Sequence, residues 1–206
     1  TPPGSDPWGV VVDSNGNLIS TDFGTDLIYV HDGISSTITN SFSAPGDNPK
    51  GLTVDSNGNL ISASAIENKI YIHSGISSTT TNSFSNPNSG IVGLAIDSNE
   101  NLISITLNTV NFDDLYIHDG ISSTITSSFD TPIGKNSGIT VNSNGNLISF
   151  DWTAIYIYQG ISDTVKNSFF NSFNNPRGLT IDSNENLIVV DRDNNSNWKF
   201  FVIELV

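Results

Sequence analysis

Apolar residues occur along the chain in short runs that are separated by clusters of Asp, Asn, Ser and Gly. Residues 10–12 and 27–30 are two such runs, and each is the length of a single strand. Short runs rich in Val, Ile, Leu, Tyr and Thr between turn residues predict β-strands. Because no stretch has the 3.6-residue periodicity of an amphipathic helix, the pattern predicts an all-β protein.

The predicted strands fall into five copies of one unit. Each copy opens on a glycine and continues with a strand, an Asp-Ser-Asn-Gly-Asn loop or a near copy of it, and two further strands. The first four copies add a Gly-Ile-Ser turn and a fourth strand that ends in Ser-Phe. The opening glycines are Gly9, Gly51, Gly93, Gly138 and Gly178.

Four short strands in each unit of about 40 residues predict the blades of a β-propeller. We therefore predict one domain over residues 1–206, with five blades of four antiparallel strands. The repeats run over about 8–50, 51–92, 93–137, 138–177 and 178–206. The last blade has only three predicted strands. It is a three-stranded blade, part of a longer protein, or a blade that another molecule completes by donating a strand.

The loop that begins at Asp13 predicts a type I turn. Asp at the first position bonds its own backbone, and Gly16 takes the positive φ that follows. A calcium loop of the EF-hand type does not fit, because its glycine is sixth and a glutamate is twelfth. Glu100 and Glu185 replace this glycine in the third and fifth copies.

The repeated pattern Pro-x-Gly-Leu-x-x-Asp-x-x-Gly-Asn-Leu, followed by Ile-Tyr-Val, resembles NHL repeats. It is more loosely similar to other six-bladed propellers, including the SMP-30 lactonases and virginiamycin B lyases, and to the YVTN surface-layer propellers. The resemblance implies the fold and leaves the function open. The lyases and lactonases imply catalytic groups at the channel mouth, on the face where loops vary. No histidine of this chain is predicted there, so we expect no enzyme.

Differences between the copies indicate where a unique site can lie. The loops between strands one and two, and the turns between strands three and four, hardly vary. The loops between blades and between strands two and three differ, and propeller topology places them together on the other face. Since binding residues are often carried by loops on a rigid scaffold, we place the candidate ligand site on this variable face.

Candidate ligand-binding residues are the tryptophans, cations and carboxylates of these variable loops. They are Trp8, Asp22, Lys50, Asp151, Trp152, Arg177, Asp191, Arg192 and Trp198, with Lys135 as a further cation. Tryptophan beside arginine suits a contact with carbohydrate or protein. The alternative is that these tryptophans pack between blades.

Two patterns invite a metal or catalytic interpretation. Asp22, Asp151 and Asp191 each follow the second strand at one repeated position, and together they could hold Ca²⁺. The resemblance to NHL repeats instead implies a routine structural aspartate there, and we predict no cofactor. The histidines share one position on the third strand, so they point to separate spaces between blades and predict packing. They are His31, His73 and His118, with Tyr158 as the fourth copy.

Charge and composition narrow the partners. The 206 residues include 7 Lys and Arg against 21 Asp and Glu, a net charge of −14, which disfavours nucleic acids and anionic membranes. No apolar run is long enough for membrane insertion. The absence of cysteine removes disulfides and thiolate chemistry. A low charged fraction of 14%, with many Ser, Thr and Asn, is typical of secreted or cell-surface β proteins.

The sequence therefore predicts a non-catalytic binding module, extracellular or at the cell surface, that recognises a glycan or a protein through its variable face. One alternative is a structural subunit that self-assembles into a filament or surface layer through the open last blade. Another is a lectin with one site in each blade. A lyase or lactonase is the last hypothesis.

Overall fold

The structure, a computed structural model, describes Gly4 and residues 6–107, 113–131, 137–170, 173–192 and 198–204, apart from the side chain of Trp198. Over these residues the chain forms nineteen strands in five antiparallel sheets, each built from consecutive strands. The predicted all-β propeller, with four blades of four strands and a last blade of three, is confirmed. No helix suited to crossing a bilayer occurs in these ranges.

The strands of each blade are given in chain order, which runs from the innermost strand outwards. Blade 1 contains β1 (Pro7–Val12), β2 (Leu18–Asp22), β3 (Leu27–His31) and β4 (Ile38–Ser43). Blade 2 contains β5 (Pro49–Val54), β6 (Leu60–Ser64), β7 (Lys69–His73) and β8 (Thr80–Ser85). Blade 3 contains β9 (Ile91–Ile96), β10 (Leu102–Thr106), β11 (Asp114–His118) and β12 (Ile125–Asp130). Blade 4 contains β13 (Gly138–Val141), β14 (Leu147–Phe150), β15 (Ala154–Tyr158) and β16 (Val165–Phe170). Blade 5 contains β17 (Pro176–Ile181), β18 (Asn186–Arg192) and β19 (Trp198–Glu204).

The core consists of five hydrophobic clusters, and each lies between two neighbouring blades. The second strand of each blade carries a Leu-Ile pair. The two side chains of the pair pack in the two clusters on opposite sides of the blade. Leu18 packs in the cluster shared with blade 5, whereas Ile19 packs in the cluster shared with blade 2. Successive side chains of a strand point to opposite faces, so a middle strand covered on both faces is apolar throughout.

The innermost strands approach one another most closely at the glycines that open the repeats. A Cβ atom on Gly9 would lie 2.1 Å from the carbonyl oxygen of Lys50, and one on Gly178 would lie 2.1 Å from that of Trp8. No side chain fits at such distances. The cavity inside this ring is about 10 Å³, and the channel widens to about 180 Å³ towards the Asp-Ser-Asn loops.

Blade 5 packs on blade 1 through the third strand. In blades 1 and 2, a fourth-strand phenylalanine contacts the histidine of the next blade, with Phe42 6.2 Å from His73 between ring centroids. Phe200 lies on β19 and contacts the His31 ring at 5.4 Å, edge to face. The aromatic contact with blade 1 therefore comes from the third strand, and this interface forms without a fourth strand.

The Asp-Ser-Asn loops are closed turns. Asp13 Oδ1 accepts hydrogen bonds from the backbone N–H groups of Asn15 and Asn17, and Asn17 Oδ1 accepts one from the N–H of Gly33. In the first four blades this bond ties the loop to the Gly-Ile-Ser turn on the same face. The aspartate and asparagine of the repeated motif are bonded internally, as the turn interpretation requires.

We expect Gly178→Ala to destabilise the protein by about 2–3 kcal/mol or more, because the new methyl group would meet backbone of blade 1 rather than a movable side chain. Urea denaturation of parent and variant measures the change. Gly16→Asn is the control, since open space surrounds Gly16 and Asn tolerates its φ of 79°. Equal losses in the two variants would contradict the packing argument.

We expect Glu100→Gly to stabilise the protein by about 1 kcal/mol. Glu100 has a φ of 62°, which glycine adopts without strain. Its carboxylate accepts only a long, exposed bond of 3.4 Å from the Ser56 N–H. Thermal unfolding measures the gain, and Glu100→Gln, which keeps the strained backbone, is expected to show none. A gain in the Gln variant would assign the effect to charge.

Candidate functional site

The variable loops meet on one face of the propeller. Segments that leave an outer strand bond to the loop between the second and third strands: the Ala44 N–H donates to the Asp26 carbonyl at 2.9 Å, and the Asn86 N–H donates to the Asn68 carbonyl at 3.0 Å. The Asp26 carboxylate also accepts from the N–H of Asn48 in the next blade. These bonds join the two sets of variable loops around the channel mouth.

One structurally equivalent position at the channel mouth carries a different side chain in every blade. It is the residue immediately before the opening glycine: three of the five copies line the cavity where the inner strands converge, and the copies in blades 1 and 5 lie against each other beside it. The five residues, in blade order, are Trp8, Lys50, Val92, Ser137 and Arg177. A five-fold symmetric scaffold thus has an asymmetric mouth.

Trp8 lies at the centre of this mouth between two cations. The Lys50 Nζ is 3.9 Å from the indole centroid and the Arg177 Cζ is 4.3 Å from it, both within cation–π range. Phe23 contacts the indole at 6.0 Å between ring centroids, and Val92 packs in the same buried cluster. We call Trp8, Phe23, Lys50 and Arg177, with the neighbouring ion pair of Asp6 and Arg192, the mouth cluster.

Positive charge is concentrated in the mouth cluster. Burial, together with the neighbouring Arg177, lowers the pKa of Lys50 to about 8, and Asp6 opposes the change. Burial also lowers the pKa of Arg177, with Asp6 raising it and Arg192 lowering it. Asp6 forms an ion pair with Arg192 at 3.2 Å. Three of the seven Lys and Arg residues of an acidic protein therefore gather at one point.

Two hydrogen-bond donors of the cluster are buried without an acceptor. They are the Nε1 of Trp8 and the Nε of Arg177, neither of which bonds to any group within the described residues. The Trp8 side chain itself is only 8% exposed. Buried polar groups normally have a hydrogen-bond partner in the protein or in ordered water, and these two N–H donors have none among the described residues.

The three aspartates that the sequence analysis considered for Ca²⁺ binding accept hydrogen bonds from loop residues. Asp22 accepts hydrogen bonds from the N–H of Asp6 and from the N–H and hydroxyl of Thr25. Asp191 accepts from the N–H groups of Asn174 and Asn175, at 3.2 and 2.7 Å.

Asp151 completes the same pattern in blade 4. It accepts from the N–H and hydroxyl of Thr153, from the Ala154 N–H and from the Tyr156 hydroxyl. Each carboxylate therefore bonds within its own blade. No metal-binding group of three or more His, Cys, Asp or Glu occurs among the residues that the structure describes.

The three tryptophans differ in their exposure and in whether the structure describes their side chains. Trp8 is packed at the mouth, as the alternative of packed aromatics predicts, and Trp152 is 61% exposed in the loop between β14 and β15. The side chain of Trp198, as well as Lys135, lies outside the described residues. The structure adds Asp6 and Phe23 to the site, which the sequence analysis missed. The sequence could have indicated them by position, because Asp6 lies two residues before Trp8 and Phe23 directly follows Asp22.

The histidines are bonded within their blades. The Nε2 atoms of His31 and His73 are hydrogen-bonded to the hydroxyls of Ser20 and Ser62, each at 2.8 Å. The Nε2 of His118 is bonded in the same way to the Ser104 hydroxyl, at 3.0 Å. Blade 4 has Ser149 and Tyr158 in the same places, and blade 5 has Val189 and Ile203. Blades 1 to 4 thus have a polar pair at these two positions and blade 5 has an apolar pair, and the histidines are buried, as the packing interpretation predicts.

Three solved structures are similar to this chain. The glutaminyl cyclase of Myxococcus xanthus has a TM-score of 0.73 at 12% identity, with 98% of this chain and 94% of that chain covered. The WD40 β-propeller domain of Doa1 has a TM-score of 0.60 at 16% identity over 93% and 62%. A catalytically inactive virginiamycin B lyase from Staphylococcus aureus, with quinupristin, has a TM-score of 0.59 at 18% identity over 98% and 72%.

Identities this low show the fold alone. No curated protein matches the sequence. Five radial sheets around a channel define the protein as a five-bladed β-propeller. The sequence model of the NHL repeat matches residues 173–200, in and just before blade 5, so this segment is similar to an NHL repeat. The resemblance to six-bladed propellers holds for the blade and not for the number of blades.

We expect the Ser62→Val, His73→Ile double variant, which copies the pair of blade 5, to lose less stability on acidification than the parent. Burial lowers the pKa of His73, opposed by the Ser77 carbonyl. Below about pH 6.5 the unfolded state binds a proton that the folded state resists, so stability falls there as pH falls.

Urea denaturation between pH 7 and pH 5 measures this difference. The Ser62→Ala variant keeps the imidazole and is expected to keep the pH dependence of the parent. An unchanged slope in the double variant would show that carboxylates, and not His73, cause the loss.

Proposed function

We propose that the protein is a non-catalytic binding module, extracellular or at the cell surface, that recognises a glycan or a protein through its variable face. The observation that carries this proposal is the asymmetric channel mouth, where one repeated position holds Trp8, Lys50, Val92, Ser137 and Arg177. A position that only supported the ring would accept the same residue in every blade.

The uniform face offers less support for a ligand site. The polar atoms of its repeated motif are already bonded: Asp55 Oδ1 accepts from the N–H groups of Asn57 and Asn59, and Asn59 Oδ1 accepts from Gly75. The histidines pair with serines inside the blades. A lectin with one site per blade would need these groups for its ligand, so the variable face is favoured.

The variable face also carries an exposed aromatic ring. Trp152 is 61% exposed, and Phe170 is 92% exposed at the same end of blade 4. At the position of Phe170 the other blades have Ser43, Ser85 and Asp130. Exposed indole is the side chain on which sugar rings and partner proteins most readily pack.

Two alternatives have weaker support. Two of the similar folds are enzymes, yet the carboxylates that could act as catalysts at the mouth are bonded to backbone of their own loops. Assembly through β19 would use the exposed Val202 on the outer edge of blade 5. Phe200 already completes the interface with blade 1, so that edge is not needed to close the ring.

We expect Trp152→Ala to reduce binding to an oligosaccharide at least about tenfold, because truncating an exposed aromatic anchor removes its stacking surface. A glycan array of defined oligosaccharides identifies the probe, and titration calorimetry measures the affinity. Val165→Thr is the control, since Val165 lies at the uniform-face end of β16 and blade 2 has Thr80 there. Binding that survives Trp152→Ala, or depends on Val165, would contradict the proposed face.

A further inference from the structure

Resting on the proposed function, we propose that the mouth cluster is a subsite for the carboxylate of an acidic sugar, bound by Lys50 and Arg177 beside the Trp8 indole. The two cations come from blades 2 and 5, and they reach the same point only because Trp8 of blade 1 lies between those blades in the ring. The site is thus made by ring closure rather than by one blade.

The two cations that contact Trp8 form no direct ion pair among the described residues. Asp6 is paired with Arg192 at 3.2 Å, and Asp22 and Asp191 accept their hydrogen bonds from backbone and from Thr25. Neither Lys50 nor Arg177 has a carboxylate partner within salt-bridge distance among the described residues. Lys50 is held near Arg177, a like charge, and an anion bound beside the two cations would offset their repulsion.

The geometry suits an oxyanion. The Nε of Arg177 and the Nε1 of Trp8 are buried donors without acceptors, and a carboxylate is an acceptor with two oxygens. The cavity beneath Trp8 is only about 10 Å³, the size of one water, so a ligand does not enter the channel. It binds across the mouth, with its charged group towards the cations.

A sugar is favoured as the carrier because the exposed indole of Trp152 lies on blade 4, next to blade 5, which supplies Arg177. A ligand with both a ring face and a carboxylate matches an exposed aromatic on the same face as two cations. An oligosaccharide of uronic acids has both features in every residue. Acidic peptides share the charge and lack the ring face.

Titration calorimetry with oligogalacturonate, and with its uncharged methyl ester as the matched ligand, tests the proposal. We expect the ester to bind at least about tenfold more weakly, because charge-assisted hydrogen bonds are lost. Lys50→Val and Arg177→Ser, which copy blades 3 and 4 at the same position, are each expected to weaken the acid at least about tenfold. Lys50→Met, which keeps the alkyl chain over Trp8, is the second variant if Lys50→Val does not fold.

Lys166→Thr is the charge control, because Lys166 lies exposed on β16, where blade 1 has Thr39. It is expected to bind like the parent. Affinity for the acid is expected to fall as pH rises through about 8, since Lys50 then loses its proton. Equal binding of acid and ester, an equal loss in Lys166→Thr, or binding of polyglutamate alone would overturn the proposal.

Different experimental results would contradict the binding-module proposal and the carboxylate-subsite proposal. Binding of the methyl ester that depends on Trp152, and not on Lys50, would keep the binding module and remove the carboxylate subsite. Free acetate or galacturonate that binds only when Lys50 and Arg177 are present, with no oligosaccharide bound, would keep the anion subsite and remove the glycan-binding function.

Discussion

The close approach of the innermost strands is the contact on which the rest of the structure depends. At Gly9 and Gly178 the backbone of the next blade occupies the space that a side chain would need. Because the blades can approach this closely, five of them close a ring, and the five hydrophobic clusters form between them. A larger residue at one of these positions would push the inner strands apart and loosen the adjoining clusters.

The same contact creates the mouth cluster. The residue before each ring glycine is held at the channel rim, and the neighbouring copies come within reach of one another. Lys50 and Arg177 lie 127 positions apart in the sequence numbering, yet both contact one indole. Low solvent access there lowers the pKa of Lys50 and leaves donor groups of Trp8 and Arg177 without acceptors.

The two faces of the propeller differ in what their residues do. Residues on one face stabilise the turns, and residues on the other face differ from blade to blade. On one face the first residue of each loop, an aspartate in four copies and Asn142 in the fourth, accepts hydrogen bonds from its own turn, so the copies stay nearly alike. On the other face the loops and the rim position differ. Even there the aspartates at 22, 151 and 191 are bonded into their loops, which leaves the cations and aromatic rings as the groups available to a ligand.

The sequence by itself determined the strands, the turns and the number of blades, because these follow from local patterns: apolar runs, Asp-Asn-Gly turns and a repeated opening glycine. It also indicated Trp8, Lys50 and Arg177 as candidates on one face. Only the tertiary structure decided that these three form one cluster with Asp6 and Phe23, and that Trp8 is packed while Trp152 is exposed. Ring closure sets those distances, and it depends on contacts between residues far apart in the chain.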